Sequence, residues 1–212
     1  MMDDELAHLS TATRAIVDRP GPERLAHLRG QWWISHSRAR AALDRLGAVL
    51  AHGPGRIRPP NLLIVGPTNN GKTMVAEKFR RLHPATPSAC GGHEVVPVVV
   101  MQMPAEPSLR RFYAALLMAL NAPVSINVSG ARLEGQALSL LRAVEARVLL
   151  IDELHNVLAG SHARRTEFLN TLRFLGNELR LPIVGLGTKQ AQIAVRSDDQ
   201  LEIPAFLRRQ TN

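Results

Sequence analysis

The chain has 212 residues, 45% of them hydrophobic, which is enough to bury one sizeable core with a short extra segment. It carries 26 Lys and Arg against 18 Asp and Glu, a net charge of +8 that suits a polyanionic partner, while aromatic residues at 4% disfavour a base-stacking platform for single strands. One cysteine, Cys90, excludes an internal disulfide framework, and no apolar run is long enough to span a membrane. The beginning, MMDDELAHLS, is acidic and has no apolar stretch of the secretory kind, so a cytoplasmic location is the simplest reading.

Residues 1–60 read as a helical N-terminal segment. Leu6, Leu9 and residues 12–18 fit one helix, Pro20-Gly21-Pro22 interrupts it, and helical spacing returns over 23–28 and 38–50. Trp32 and Trp33 lie between, suited to packing on a core. "HGPGRIRPP", 52–60, is a Pro/Gly linker. The core is expected over 61–212.

The core opens with Leu62–Val65, an apolar run that reads as a buried strand, followed by Gly66-Pro67-Thr68-Asn69-Asn70-Gly71-Lys72-Thr73 and a helix over 74–82. The eight residues fit G-x-x-x-x-G-K-[ST] without a mismatch, a match that arises by chance in about 1 in 100 chains of this length. Glycines let consecutive backbone N–H groups face one point, and the helix adds its positive end. Residues Gly66 through Met74 are thus the expected cradle for ATP. Lys72 would reach the outer phosphates, and the Thr73 hydroxyl would ligate Mg2+.

The loop "HPATPSACGGHE" follows. His83, Cys90 and His93 are three candidate metal ligands without a fourth, a weak metal signal. Residues 95–103 read as a strand with Pro97 near its start. Helices follow over 108–120, capped by Ser108, and over 133–146. Val148–Ile151 is a buried strand that ends in Asp152-Glu153. A parallel strand delivers its C-terminal residues to the ligand crevice, so Asp152 is expected to hold Mg2+ and Glu153 to act as general base on water. A helix over 164–179 precedes the strand 183–186 and Gly187-Thr188. Should this strand lie between the first strand and that of Asp152, Thr188 faces the terminal phosphate as a sensor.

Alternating strands and helices specify a mainly parallel α/β sheet flanked by helices, a P-loop NTPase. Thr188-Lys189-Gln190-Ala191 lacks the aspartate of a guanine reader, and paired Asp-Glu is unusual in small-metabolite kinases. The set favours an ATPase of the AAA+ kind.

"NLLIVGPTNNGKT", "VLLIDELHNVLAG" and "IVGLGTKQA", preceded by "QWWISHSRARAALDRL", resemble the TniB family of bacterial transposition proteins, whose relatives include TnsC and, more distantly, Mu B and IstB. The resemblance covers roughly residues 20–200. It implies an AAA+ ATPase that assembles as a homo-oligomer on double-stranded DNA when ATP is bound. Such a protein passes the target to a DDE transposase of the TniA kind, and hydrolysis releases the assembly. It also implies Lys72 and Thr73 as ATP and Mg2+ contacts, Asp152 and Glu153 as the Mg2+ and water-activating pair, and Thr188 as sensor. His155 matches the family run without an assigned role.

The family pattern continues with a fifth strand and an arginine that reaches a neighbouring site, whereas this chain runs "SDDQLEIPAFLRRQTN". "LEIPAF" is the candidate for that strand, and Arg196, Arg208 and Arg209 are candidates for that arginine. A C-terminally shortened core is therefore expected, and turnover depends on whether this end supplies the arginine. Two alternatives stay open: a non-hydrolysing interaction protein that binds nucleotide, transposase or longer copies, and a helicase-loader-like ATPase.

Overall fold

The computed structural model describes residues 7–30, 32–106, 108–125 and 127–191. By contacts the chain divides between Ile34 and Ser35. In the first unit, α1 (Thr11–Val17) is capped by the Ser10 side chain, and α2 (Gly21–Leu28) starts directly after Pro20. Pro22 sits in the first turn of α2, where its missing N–H costs nothing. Trp32 stays half exposed, with its Nε1–H donating to His27 O at 2.8 Å and its ring against His27.

The second unit begins with α3 (Ser37–His52), so this helix groups with the sheet rather than with residues 7–34. Its buried residues Ala39, Leu46 and Leu50 recur at helical spacing. Then come β1 (Leu62–Val65), α4 (Lys72–Leu82), β2 (Thr86–Pro87), β3 (Glu94–Val95), β4 (Val98–Gln102), α5 (Leu109–Ala119) and α6 (Gly130–Ala143). β5 (Val148–Asp152), a 3-10 turn (Leu154–Ala159), α7 (His162–Glu178) and β6 (Ile183–Gly187) complete the described order.

Among the described residues the main sheet runs β1-β6-β5-β4, all parallel. The period-two alternation of strands divides its side chains between two faces. Val99, Met101, Leu149, Ile151 and Ile183 join a core with Phe112, Leu116, Leu133, Leu141, Phe168 and Leu175 from α5, α6 and α7. Phe112 meets Phe168 edge to face at 5.0 Å. Val98, Leu150, Val184 and Leu186 alternate with these and are equally buried, and α4 packs against β4, β5 and β6. Each fully buried Leu or Val contributes about 1.5–3 kcal/mol.

Several boundaries differ from the sequence reading. β1 is half-buried along its whole length, lying at the edge of the sheet among the described residues. The run 95–103 divides at Pro97, which has no N–H for a ladder, and Glu94–Val95 instead pairs antiparallel with Thr86–Pro87. α6 starts at Gly130 and α7 at His162, earlier than expected, because Ser129 and Ser161 cap them. The segment 201–206, Arg196, Arg208 and Arg209 lie outside the described residues.

α5, α6 and α7 close alike. Asn121, Glu145 and Arg180 take φ of 55°, 51° and 49°, and the next N–H, from Ala122, Ala146 or Leu181, bonds back to Leu117, Leu141 or Gly176. None of the three is glycine, so each carries left-handed strain. Arg180→Gly is expected to raise stability by about 0.5–1 kcal/mol in urea unfolding, after the extra unfolded-state entropy of glycine is subtracted.

On α4, Glu77 accepts from Arg80 Nε and Arg81 Nε, both at 2.9 Å. The Arg80 bonds, with help from Arg81, pull its carboxyl from the ordinary 4.5 down to about 2. The folded value lies below the unfolded one, so this stabilisation is present above pH 4.5 and is lost as pH falls toward 2. Water reaches all three side chains, so screening limits the gain to about 0.5 kcal/mol. Glu77→Gln should remove that part of the acid-side slope in a series of melts between pH 5 and pH 2.5.

Candidate functional site

The four parallel strands end on one side of the sheet. Val65 stands opposite Gly187, and Gln102 opposite Asp152. From β1 the chain enters the loop 66–71, where Asn69 and Gly71 take positive φ of 59° and 73°. These two left-handed residues curl the backbone at the start of α4, the kind of turn from which anion nests are built. Gly66 N–H donates to Gly187 O at 3.1 Å, which ties the loop to β6. A Cβ on Gly66 would meet the Asn70 amide at 3.1 Å, so this position has little room for a side chain. Pro67, Thr68, Asn69, Asn70 and Gly71 are exposed, while Met74 is half-buried.

Lys72 is buried, and its Nζ donates to Gly66 O at 3.1 Å and Pro67 O at 2.7 Å. The ammonium thus lies over the loop itself. Thr73 Oγ1 donates to Asp152 Oδ2 at 2.5 Å, and Glu153 N–H donates to Asp152 Oδ1 at 2.8 Å. A buried carboxylate needs such partners, and both come from residues at the cleft. Glu153 has φ 55°, a strained turn that ends β5 and starts the 3-10 segment. Its carboxylate Oε2 lies 3.2 Å from His155 Nε2. Asn156 Nδ2 donates to Met103 O at 3.1 Å and so fastens this turn to the end of β4.

β6 does lie between β1 and β5, and Thr188 follows its last residue. The Thr188 hydroxyl oxygen is buried and has no hydrogen-bond partner among the described residues. The sequence-predicted residues Lys72, Thr73, Asp152, Glu153 and Thr188 therefore share one edge of the sheet. His155 and Asn156 are tied to it by bonds that motif spacing does not reveal.

The donor set fits a magnesium nucleotide. Thr73 Oγ1 and the Asp152 carboxylate already meet at hydrogen-bond distance, and Mg2+ prefers one or two protein oxygens plus phosphates and water. Among the described residues no group of three His, Cys, Asp or Glu is arranged around a metal. His83 faces Phe79, His93 bonds Glu145, and Cys90 is exposed. An open groove of about 710 Å3 between α5 and α6, lined by Leu117, Arg132 and Gln136, holds none of the motif residues.

Strand order, loop and paired acidic residues together define a P-loop NTPase core of the AAA+ kind. The profile of the family described as bacterial TniB protein matches residues 24–203, and the chain belongs to that family. No curated protein matches the chain. Among solved structures it is similar to the Aeropyrum pernix ORC1 protein in complex with DNA, at 23% identity over 73% of this chain and 40% of that one, TM-score 0.51. It is also similar to the Aeropyrum pernix ORC2 protein (ADPNP-ADP complexes), at 16% identity over 84% and 46%, TM-score 0.54. Cdc6p from Pyrobaculum aerophilum is similar at 15% identity over 84% and 45%, TM-score 0.55. At these identities the likeness is one of fold, and the chain spans less than half the length of each of these three proteins. Among the described residues no helix is long and apolar enough to cross a membrane.

The Thr73–Asp152 bond joins the two halves of the site before any ligand arrives. Thr73→Val should lower the stability of the ligand-free protein by about 1.5 kcal/mol in chemical denaturation, because it leaves a buried carboxylate oxygen without its donor.

Proposed function

We propose that this chain is an ATP-binding DNA transposition protein: it binds duplex DNA when ATP is bound, presents the target to a DDE transposase, and releases it on hydrolysis. The observation that carries the reading is the meeting of Thr73 with Asp152 beside Lys72, in a chain of the TniB family. Two fold relatives are described with DNA or with ADPNP and ADP, which agrees with the choice of ligands. The surplus of 26 basic over 18 acidic residues favours phosphate backbones.

Mg2+ bound with the nucleotide neutralises charge on the outer phosphates. Lys72 Nζ exchanges its two loop carbonyls for phosphate oxygens. The Thr73 hydroxyl and the Asp152 carboxylate are the residues that would hold the ion. Loop N–H groups from Thr68 to Thr73 bind the phosphate chain in the nest. Glu153 orients water and accepts its proton, and the Thr188 hydroxyl bonds to the terminal phosphate or that water. Assembly into a homo-oligomer on DNA, where a neighbour contributes an arginine, belongs to the same reading.

Thermal melting tests the nucleotide step. Saturating MgATP, about 100 times Kd, should stabilise the chain by about 2.7 kcal/mol, and Lys72→Ala should erase the shift. Duplex binding should then require ATP, ignore sequence and weaken steeply with salt. DNA binding that is identical in Lys72→Ala, with or without ATP, would refute the coupling.

A further inference from the structure

The arginines of this chain fall into two groups. Some are answered by the protein itself: Arg80 and Arg81 meet Glu77, Arg111 meets Glu106, and Arg142 meets Glu178. Others stand in solvent, and five of these, Arg38, Arg40, Arg45, Arg56 and Arg58, lie on α3 and the turn that follows it. All five are exposed, and none has a side-chain partner among the described residues. Between residues 35 and 60 the one acidic residue is Asp44.

The fold adds two more from distant parts of the chain. Arg147, just before β5, donates from Nη2 to Leu50 O at 3.3 Å, and Gly55 N–H donates to the backbone O of Arg180, shortly before β6, at 3.0 Å. Both arginines are exposed. The carboxylates nearest to them in the chain are already engaged, Glu145 with His93 and Glu178 with Arg142. These contacts put the C-terminal end of α3 at the edge where the strands begin, away from the phosphate loop. Along α3, Arg38, Arg45 and His52 recur every seven residues and so share one line of the helix. Exposed Ala41 and Ala48 lie between them, on a helix of 16 residues, about 24 Å long.

Helix energetics account for only part of this arrangement. Cations beside the last carbonyls of a helix are stabilising, and the Arg147–Leu50 bond is of that kind. Arg38 and Arg40, however, fall in the first turn of α3, which holds no acidic residue, and there a cation opposes the helix dipole. Seven arginines set against Asp44 also repel one another, a cost that a polyanion relieves.

We infer that α3 and the turn after it form the face that grips the phosphate backbone of duplex DNA. The inference rests on the reading of the chain as a duplex-binding protein and names the surface that does it. Guanidinium groups meet phosphate oxygens two bonds at a time. The face carries no Phe, Tyr or Trp on which single-stranded bases could stack. Ile57 is its one large exposed apolar side chain, too little to seat a helix in a lipid surface. Contacts of this kind hold a duplex in place without reading its sequence.

The test measures binding of the full chain to labelled duplexes by fluorescence anisotropy, with MgATP present and across a range of salt. Each arginine that meets a phosphate contributes about 0.9 to the slope of log K against log salt. Arg38→Gln with Arg45→Gln should therefore lower the slope by about 2, and Arg56→Gln with Arg58→Gln should do the same, equally for unrelated sequences. Arg132→Gln with Arg164→Gln removes the same charge from the starts of α6 and α7 and should change the slope by less than half as much. An unchanged slope in either of the first two pairs, or an equal fall in the third, would overturn the inference. The melting shift caused by MgATP should survive in Arg56→Gln with Arg58→Gln; its loss would assign the effect to the nucleotide site and sink the proposed surface. If one pair fails to melt cooperatively, the other decides. If the unaltered chain binds no duplex, the DNA-binding reading falls and the surface with it, whereas binding that ignores the substitutions removes the surface alone.

Discussion

Parallel strands that share one register must end along one line, and the site depends on that constraint. Residues 66–73, 152–153 and 187–188 are far apart in the chain, yet β1, β5 and β6 bring them to the same edge. The middle strand has to be slim for this to work. A Cβ on Gly185 would come within 2.4 Å of Leu154 Cδ2, and one on Gly187 within 2.8 Å of Ala191 Cβ. Glycine at both positions lets the turn after β5 and the chain after β6 close over the strand. The short approach of loop to sheet, seen in the Gly66–Gly187 bond, follows from the same geometry.

Electrostatics sharpen what topology assembles. Asp152 is buried, and an isolated carboxylate there would be costly. It is held by a hydroxyl from α4 and an N–H from its own chain neighbour, both neutral donors. Both carboxyl oxygens therefore have a donor beside the loop. Lys72, the chain neighbour of Thr73, places its ammonium on the Gly66 and Pro67 carbonyls of the same loop. The membership of the chain in the TniB family agrees with this division of labour.

Much of this was legible in the sequence, because the phosphate loop and the Asp-Glu pair are local patterns with one physical purpose. Continuous apolar runs announced β5 and β6, both wholly buried. β1 looked the same in sequence but is half-buried, since its neighbours on the other side are a matter of sheet order and not of its own residues. The starts of α6 and α7 were placed late because hydrophobic spacing begins a turn inside a helix, whereas the Ser129 and Ser161 caps mark its true edge. The Thr86–Pro87 ribbon left no signal, as two-residue strands have no periodicity. The placing of α3 with the sheet unit was hidden by the Pro/Gly stretch after it, which reads as a boundary but serves as a turn. The His155–Glu153 approach was invisible because it depends on the turn after β5 and not on motif spacing.

The two carbonyl bonds of Lys72 make ligand entry an exchange and not a simple addition. The loop is its own weak competitor: whatever enters must return at least what the ammonium gives up at Gly66 O and Pro67 O. A chain of phosphates, with many oxygens and several charges, can do so. Under the proposed nucleotide reading, the loop would act as a threshold that favours charge density over the identity of base or sugar.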